Sequence, residues 1–315
     1  MSRNVDELPI CHRDRTKALR ATGLYWNNRT PGIGLVDPSG IERTHPVPPG
    51  TSVGYQLGGQ RCCIGVWLAQ QQRRRPCTFG HPIPPSTTRA QCDPRGSADP
   101  GTMLARNATI DDGREYMLYL AWFGPGLTKV GLTATERGTD QLAEQGALAY
   151  TWLAHGRLPD IRAAKQRISA SSLAPERRHR HAKLATWWRL LNEIQRRDDL
   201  RATHRQIIET VSWPTGLDRA ACAVVDQVEL FGLDALPDCC QEITALASGA
   251  VLSGTVRCAV GRDLLLDTPD GLLLADTRLL AGWPLHPTTT APTGLALRAC
   301  DHARNDDAAA HAALF

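Results

Sequence analysis

The sequence predicts an α+β protein, and three observations carry that prediction. Short apolar runs punctuated by Gly and Pro occupy both the early and the late parts of the chain, with the length and spacing of antiparallel strands. Between them the apolar spacing changes to three or four residues, the period of helices packed on one face. A hydrophobic content of 42% over 315 residues supplies one sizeable core or two smaller ones.

Taken in order, residues 1–20 are a polar N-terminal tail with little to tie it down. Residues 21–70 form a β-rich region, with strands expected at 23–26, 32–36, 53–57 and 62–68 and a turn at 45–50. Residues 71–101 are rich in Arg, Pro, Ser and Thr, and their regular feature is the placement of Cys77, His81 and Cys92. Residues 102–174 hold the most informative unit: a strand from Tyr116, a Gly124-Pro-Gly126 turn, and a second strand containing Lys129-Val-Gly-Leu-Thr. Helices are expected at 136–153, capped by Thr133 or Thr135, and at 161–169, capped by Asp160. A basic helix is expected within 175–212, spanning 175–209 with Pro175 in its first turn. The mixed region 213–286 opens on a helix at 216–230, or on an extended run at 221–225, and closes on strands from 249 onward. A flexible tail at 287–315 ends the chain.

Charge is unevenly placed. Residues 155–208 carry 13 basic and 5 acidic side chains, and residues 209–315 carry 6 basic and 14 acidic ones. A basic middle beside an acidic end either steers an anionic ligand or docks one half of the molecule on the other. No run approaches the ~20 apolar residues of a membrane span, and the opening Met-Ser-Arg-Asn-Val-Asp-Glu lacks the apolar core of a signal peptide. A cytoplasmic location without a membrane partner is therefore the expectation. In a reducing compartment the ten cysteines are core filler, metal ligands or reactive thiols.

In the central unit, Tyr119 lies on the first strand, Lys129 near the start of the second, and Arg137 in the first turn of the helix that follows. Arg137, Gln141 and either Glu144 or Gln145 share a helix face. Tyr, Lys and Arg around one hairpin and helix start can grip an oxyanion such as phosphate. Gly131 allows close backbone approach, and a helix start attracts anions. The structural alternative is a Tyr in a mixed core, a solvated Lys, and Arg137 paired with Glu144.

This order, Tyr119-Leu-Ala, a turn, Lys129-Val-Gly-Leu-Thr, Arg137, then Glu144-Gln-Gly-Ala147, resembles the GIY-YIG nuclease superfamily. Within it, the chain is most similar to an uncharacterised bacterial and archaeal branch, a domain of unknown function. The resemblance implies a small GIY-YIG-like α/β module flanked by an N-terminal β-rich region and a C-terminal β-containing region. It also implies catalytic roles for Tyr119 as activator of water and Arg137 as stabiliser of phosphoryl charge. Lys129 stands where the second motif usually has tyrosine. The metal-binding glutamate is expected in 161–168, where Lys165 is the best-placed residue and no carboxylate occurs. Lysine does not ligate Mg²⁺ while protonated, so phosphodiester hydrolysis would need Glu144 in its place.

Cys77-x3-His81 and Cys92 either supply three soft ligands for a structural Zn²⁺ or are an incomplete relic of such a site or plain buried thiols. Cys62, Cys63 or Asp93 could complete the set, and Arg95 stands where a Cys-x2-Cys pair would put a fourth. Relatives in the resembled branch often carry paired cysteines here. The run Glu176-Arg-Arg-His-Arg-His-Ala-Lys183, with Arg162, Lys165 and Arg167 nearby, could follow a phosphate backbone, or be a solvated face, or dock on the acidic half. Trp187 and Trp188 fall in the apolar stripe, as core rather than as a stacking platform.

Three functions follow. The leading one is a DNA-, RNA- or other phosphate-binding protein with weak or lost catalysis, gripping phosphate through Lys129, Gly131, Arg137, Arg162 and Lys165. The second is an Mg²⁺-dependent endonuclease using Tyr119, Lys129, Arg137 and Glu144. The third is a structural or protein-interaction factor.

Overall fold

The computed structural model describes residues 18–68, 71–106, 108, 111, 113–233 and 236–301. The expected polar tail up to residue 17 and the end of the chain from residue 302 lie outside them. The architecture is mixed α+β, with two main sheets and a short two-stranded one.

The chain begins with strands β1 (Leu19–Asn27), β2 (Thr30–Val36), β3 (Glu42–Pro46) and β4 (Ser52–Leu57). A segment of short elements follows, built from β5 (Val66–Leu68), β6 (Arg73–Arg75), α1 (Asp93–Ser97) and α2 (Pro100–Ala105). The central unit contains β7 (Glu115–Trp122), β8 (Thr128–Ala134), α3 (Asp140–Glu144), β9 (Ala149–Arg157) and α4 (Leu158–Ala170). Next come α5 (Arg180–Leu184), α6 (Glu193–Thr210), β10 (Leu217–Arg219), β11 (Val225–Asp226) and α7 (Val228–Phe231). The last elements are β12 (Cys239–Ala245), β13 (Val251–Val260), β14 (Asp263–Thr268), β15 (Gly271–Asp276), α8 (Thr277–Leu280), β16 (Pro284–Pro287) and β17 (Ala296–Asp301).

The large sheet has the order β17-β12-β15-β14-β13-β4-β16-β1-β2-β3, so strands from both ends of the sequence share one ladder. The central sheet runs β10-β9-β7-β8, with β11 also on β9. β7 is interior and apolar on both faces, as a covered strand must be. Leu118, Leu120 and Trp122 face α4, whose Leu158, Ile161, Ala164 and Ile168 join the same core. Tyr119, Ala121 and Phe123 face the other way, into a smaller cluster with Leu142, Ala147 and Tyr150. Since Gly131 pairs with Tyr119, the side chain of Lys129 shares the Tyr119 face.

Five expectations are corrected. The helix expected at 136–153 is a 3-10 turn (Thr135–Arg137) and a single turn of α3, followed by strand β9. Gly146 takes the left-handed conformation (φ 67°), which ends the helix, and the β-forming run Tyr150-Thr-Trp then pairs with β7. The expected helix 175–209 is two helices. Its first residues are extended beside β8, where the Pro175 carbonyl accepts the Val130 N–H (3.1 Å). The second, α6, starts afresh at an Asn192–Gln195 capping box. In place of a helix at 216–230 stand β10, β11 and the four-residue α7. The tail expected to be flexible from 287 instead supplies β17, paired with β12 along its length. The helix expected from 161 starts at Leu158, with Pro159 in its first turn and Asp160 inside the helix instead of at its cap.

Candidate functional site

On the Tyr119 face, three segments converge on Gln145, the residue just after α3. Lys129 Nζ donates to Gln145 Oε1. Gln145 Nε2 donates to the Tyr119 hydroxyl (2.7 Å). From α5, Lys183 Nζ donates to the Gln145 carbonyl (2.9 Å) and lies 3.8 Å from the centre of the Phe123 ring. Trp152, half-buried on β9, packs edge-on to Tyr119 at 6.5 Å between ring centres. Neither lysine forms an ion pair with a carboxylate among the described residues. Burial, then the charge of Lys129, push the Lys183 ammonium down to about 7; Asp263 opposes this and Arg278 adds to it.

The other sequence candidates are placed differently. Arg137 is exposed at the rim, where its Nη2 lies 2.9 Å from Glu144 Oε1. Glu144 is buried, and its second oxygen faces Arg262 at 4.0 Å. A carboxylate held between two guanidinium groups has little to offer a Mg²⁺ ion. Lys165 is buried on α4, on the opposite side of the sheet, and is paired with Glu176 at 2.9 Å. Arg162 is half-buried on the same helix, so neither joins Lys129. The space over Gly131 is filled by the Tyr119 hydroxyl, where an added Cβ would come within 2.2 Å, leaving no room there for phosphate. The helix start invoked for an anion is a 3-10 turn and a five-residue helix, too short for a useful dipole.

The basic run is largely consumed inside the molecule. Arg178 donates to the carbonyls of Thr128 (2.8 Å) and Gly126 (3.0 Å). Arg180 reaches Asp263 (2.7 Å) and Glu242 (2.7 Å) of the acidic half. Trp187 is core, as its place in the apolar stripe requires.

A second cluster lies in the segment between β4 and β7. The Cys63 N–H donates to the His81 carbonyl (2.8 Å) and the Ile64 N–H to the Ala90 carbonyl (3.0 Å). These bonds draw three loops together until the sulfurs of Cys63, Cys77 and Cys92 lie within 4.8 Å of one another, a set able to coordinate a metal ion. Cys63 Sγ accepts the N–H groups of Gly65 (3.4 Å) and Cys92 (3.3 Å). Burial pushes the Cys63 thiol up to about 12. Burial also raises Cys77, but the N–H groups of His81 and Phe79 and the thiols of Cys63 and Cys92 outweigh it and leave Cys77 below its ordinary value. Amide N–H groups aimed at sulfur suit a thiolate, the form that binds metal.

His81 is therefore corrected as a ligand. Its backbone serves the cluster, while its exposed ring lies 5.5 Å from Phe79, outside the sulfur group. Cys63 takes the third place, and Arg95 turns to the Thr78 hydroxyl (3.2 Å) on the Cys77 loop. Cys63 forms no ligand pair by spacing, which left it one of several candidates. Lys183 carried no signal beyond membership of a basic run, because its partner is 38 positions away.

No helix among the described residues is long and apolar enough to cross a membrane. Neither the comparison with curated proteins nor the comparison with solved structures gives a match. A family model does match, over residues 50–285, which takes in the cysteine cluster, the central sheet and most of the large sheet. On that match, covering well over half of the chain, the protein belongs to the family described as Protein of unknown function (DUF2797).

Proposed function

We propose that the protein binds a phosphate group, of nucleic acid or of another phosphate compound, on a GIY-YIG-like scaffold without hydrolysing it. The observation that carries this reading is the pair Lys129 and Lys183, brought from two segments onto Gln145 with no carboxylate ion-paired to either among the described residues. Two lysines beside a tyrosine hydroxyl and a half-exposed tryptophan favour an oxyanion, whose binding would draw Lys183 into its charged form, with an aromatic face for a base or sugar. The scaffold part is supported by contiguity: Tyr119, Lys129, Arg137 and Glu144 come from β7, β8, the 3-10 turn and α3, one unbroken unit. Lost catalysis is supported by the surroundings of Glu144 and Lys165, since neither offers a carboxylate for Mg²⁺ on the Tyr119 face.

Filter binding to single-stranded and duplex DNA and RNA over a salt series tests this. Affinity should fall with salt, by a slope of about 0.9 for each duplex phosphate neutralised, and drop in Lys129→Ala and Lys183→Ala. Absent or salt-independent affinity would overturn it in favour of a structural role, to which the docking of Arg180 on the acidic half already points. Cleavage in Mg²⁺ that disappears in Arg137→Ala would instead establish the endonuclease reading.

For the cysteine cluster we infer Zn²⁺ in a structural role, held by Cys63, Cys77 and Cys92. Soft thiolates select such an ion, and the segment has little apolar content with which to hold itself.

A further inference from the structure

β17 is the outer strand of the large sheet and runs antiparallel to β12, with Cys300 directly opposite Cys240. Residues so placed point to the same face with Cβ atoms about 4.5–5.5 Å apart. A disulfide needs them at about 3.5–4.5 Å, so a small closing movement suffices. The Cys300 thiol is near enough to add to the burial that pushes the Cys240 thiol up to about 12. Cys240 is buried, whereas Cys300 is half-exposed at the sheet edge. Neighbouring Cys239 is exposed and opposite Asp301, on the other face of the strand, where it cannot reach Cys300.

We propose that Cys240 and Cys300 form a dithiol that a small disulfide, of the glutathione class, oxidises to an intrachain bond. The exposed member reacts first. Cys300 loses its proton to solvent and its thiolate attacks one sulfur of the oxidant, forming a mixed disulfide and releasing one thiolate. Cys240 then gives up its proton and attacks the Cys300 sulfur, expelling the second thiolate. Two protein thiols lose two electrons in all, and the oxidant accepts them to become two thiols.

The bond would secure more than two cysteines. Cys300 Sγ lies 3.8 Å from Glu242 Oε2, and Glu242 holds Arg298 of the same edge strand (2.5 Å) and Arg180 (2.7 Å). Closing β17 onto β12 would hold Arg298 over Glu242, next to the carboxylate that anchors α5.

The full-length protein is equilibrated in glutathione buffers of rising oxidised fraction, free thiols are alkylated, and peptides are mapped by mass spectrometry. The expected product joins Cys240 to Cys300, with Cys239 and Cys222 alkylated. Cys240→Ser should trap glutathione on Cys300, and Cys300→Ser should leave Cys240 unreacted because it is buried. Failure to form the Cys240–Cys300 bond at any ratio in the native protein overturns the proposal. So does a Cys239–Cys300 bond, or a lasting glutathione adduct on Cys300 when Cys240 is intact. Amide exchange across β17 should be about tenfold slower in the oxidised form; equal rates would overturn the securing role.

Discussion

Lys183 sits over the Phe123 ring, within reach of Lys129, and is charged only while the pH stays below its lowered pKa of about 7. A bound anion favours the charged form, so binding raises that pKa and takes up a proton. Phosphate affinity is therefore expected to fall as pH rises through 7, the loss extending toward the pKa of the bound state. Calorimetry in two buffers of different ionisation heat should register proton uptake near pH 7.5. Lys183→Arg, permanently charged, should abolish it; unchanged uptake would point to another group. Gly131 makes a separate prediction. A methyl group there meets the Tyr119 hydroxyl at 2.2 Å, so Gly131→Ala is expected to cost about 1–3 kcal/mol by overpacking. Urea unfolding measures that cost.

At the scale of elements, the segment between β4 and β7 is the one that needs a staple. Its strands have three residues each and its helices five and six, too short to persist alone. Two devices hold it. Arg61, buried, donates to the carbonyls of Pro84 (2.7 Å), Thr87 (2.7 Å), Ala281 (2.8 Å) and Arg278 (2.8 Å), tying the loop to α8 and the residue that ends it. A metal ion on the Cys63, Cys77 and Cys92 sulfurs, as proposed above, would be the other. Purified protein is expected to carry about one Zn²⁺, and Cys63→Ser or Cys77→Ser to lose it. Limited proteolysis should then cut first within 71–101. His81→Ala should keep the metal, which separates this ligand set from one that includes the His81 ring.

For the whole molecule, the uneven charge of the chain resolves into an internal contact. Arg180 leaves the basic middle and enters a carboxylate group from three strands of the acidic half: Glu242, Asp263 and, at 3.6 Å, Asp276. Burial raises Asp263 to about 6 even with Arg180 beside it, a sign of how little water reaches the cluster. Removing one partner leaves buried charge uncompensated, so Arg180→Ala is expected to lower stability by about 3 kcal/mol. Chemical denaturation should show that loss. A loss below about 1 kcal/mol would place this contact among ordinary surface pairs.

At the two ends β1, β2, β4, β13, β14 and β15, and in the middle the β7–β8 hairpin, were legible in the sequence because they rest on local causes: alternation, turn glycines and β-forming residues; β3 and β12 were not. Lys129 and Tyr119 were legible as neighbours for the same reason, since a hairpin makes a contact out of short spacing. β9 was not legible, because 136–153 has helical composition and its strand is made by pairing with β7, a gain that no local propensity registers. β17 likewise exists by pairing with β12. The sequence by itself determined the α+β class, the central hairpin, and the lack of any carboxylate in 161–168. Only the tertiary structure decided that Cys63 displaces His81 among the sulfurs, that Lys183 joins Lys129, and that Glu144 is held by arginines. Each of these is a contact between groups far apart in the chain, and such contacts depend on how sheets and loops pack rather than on spacing along the sequence.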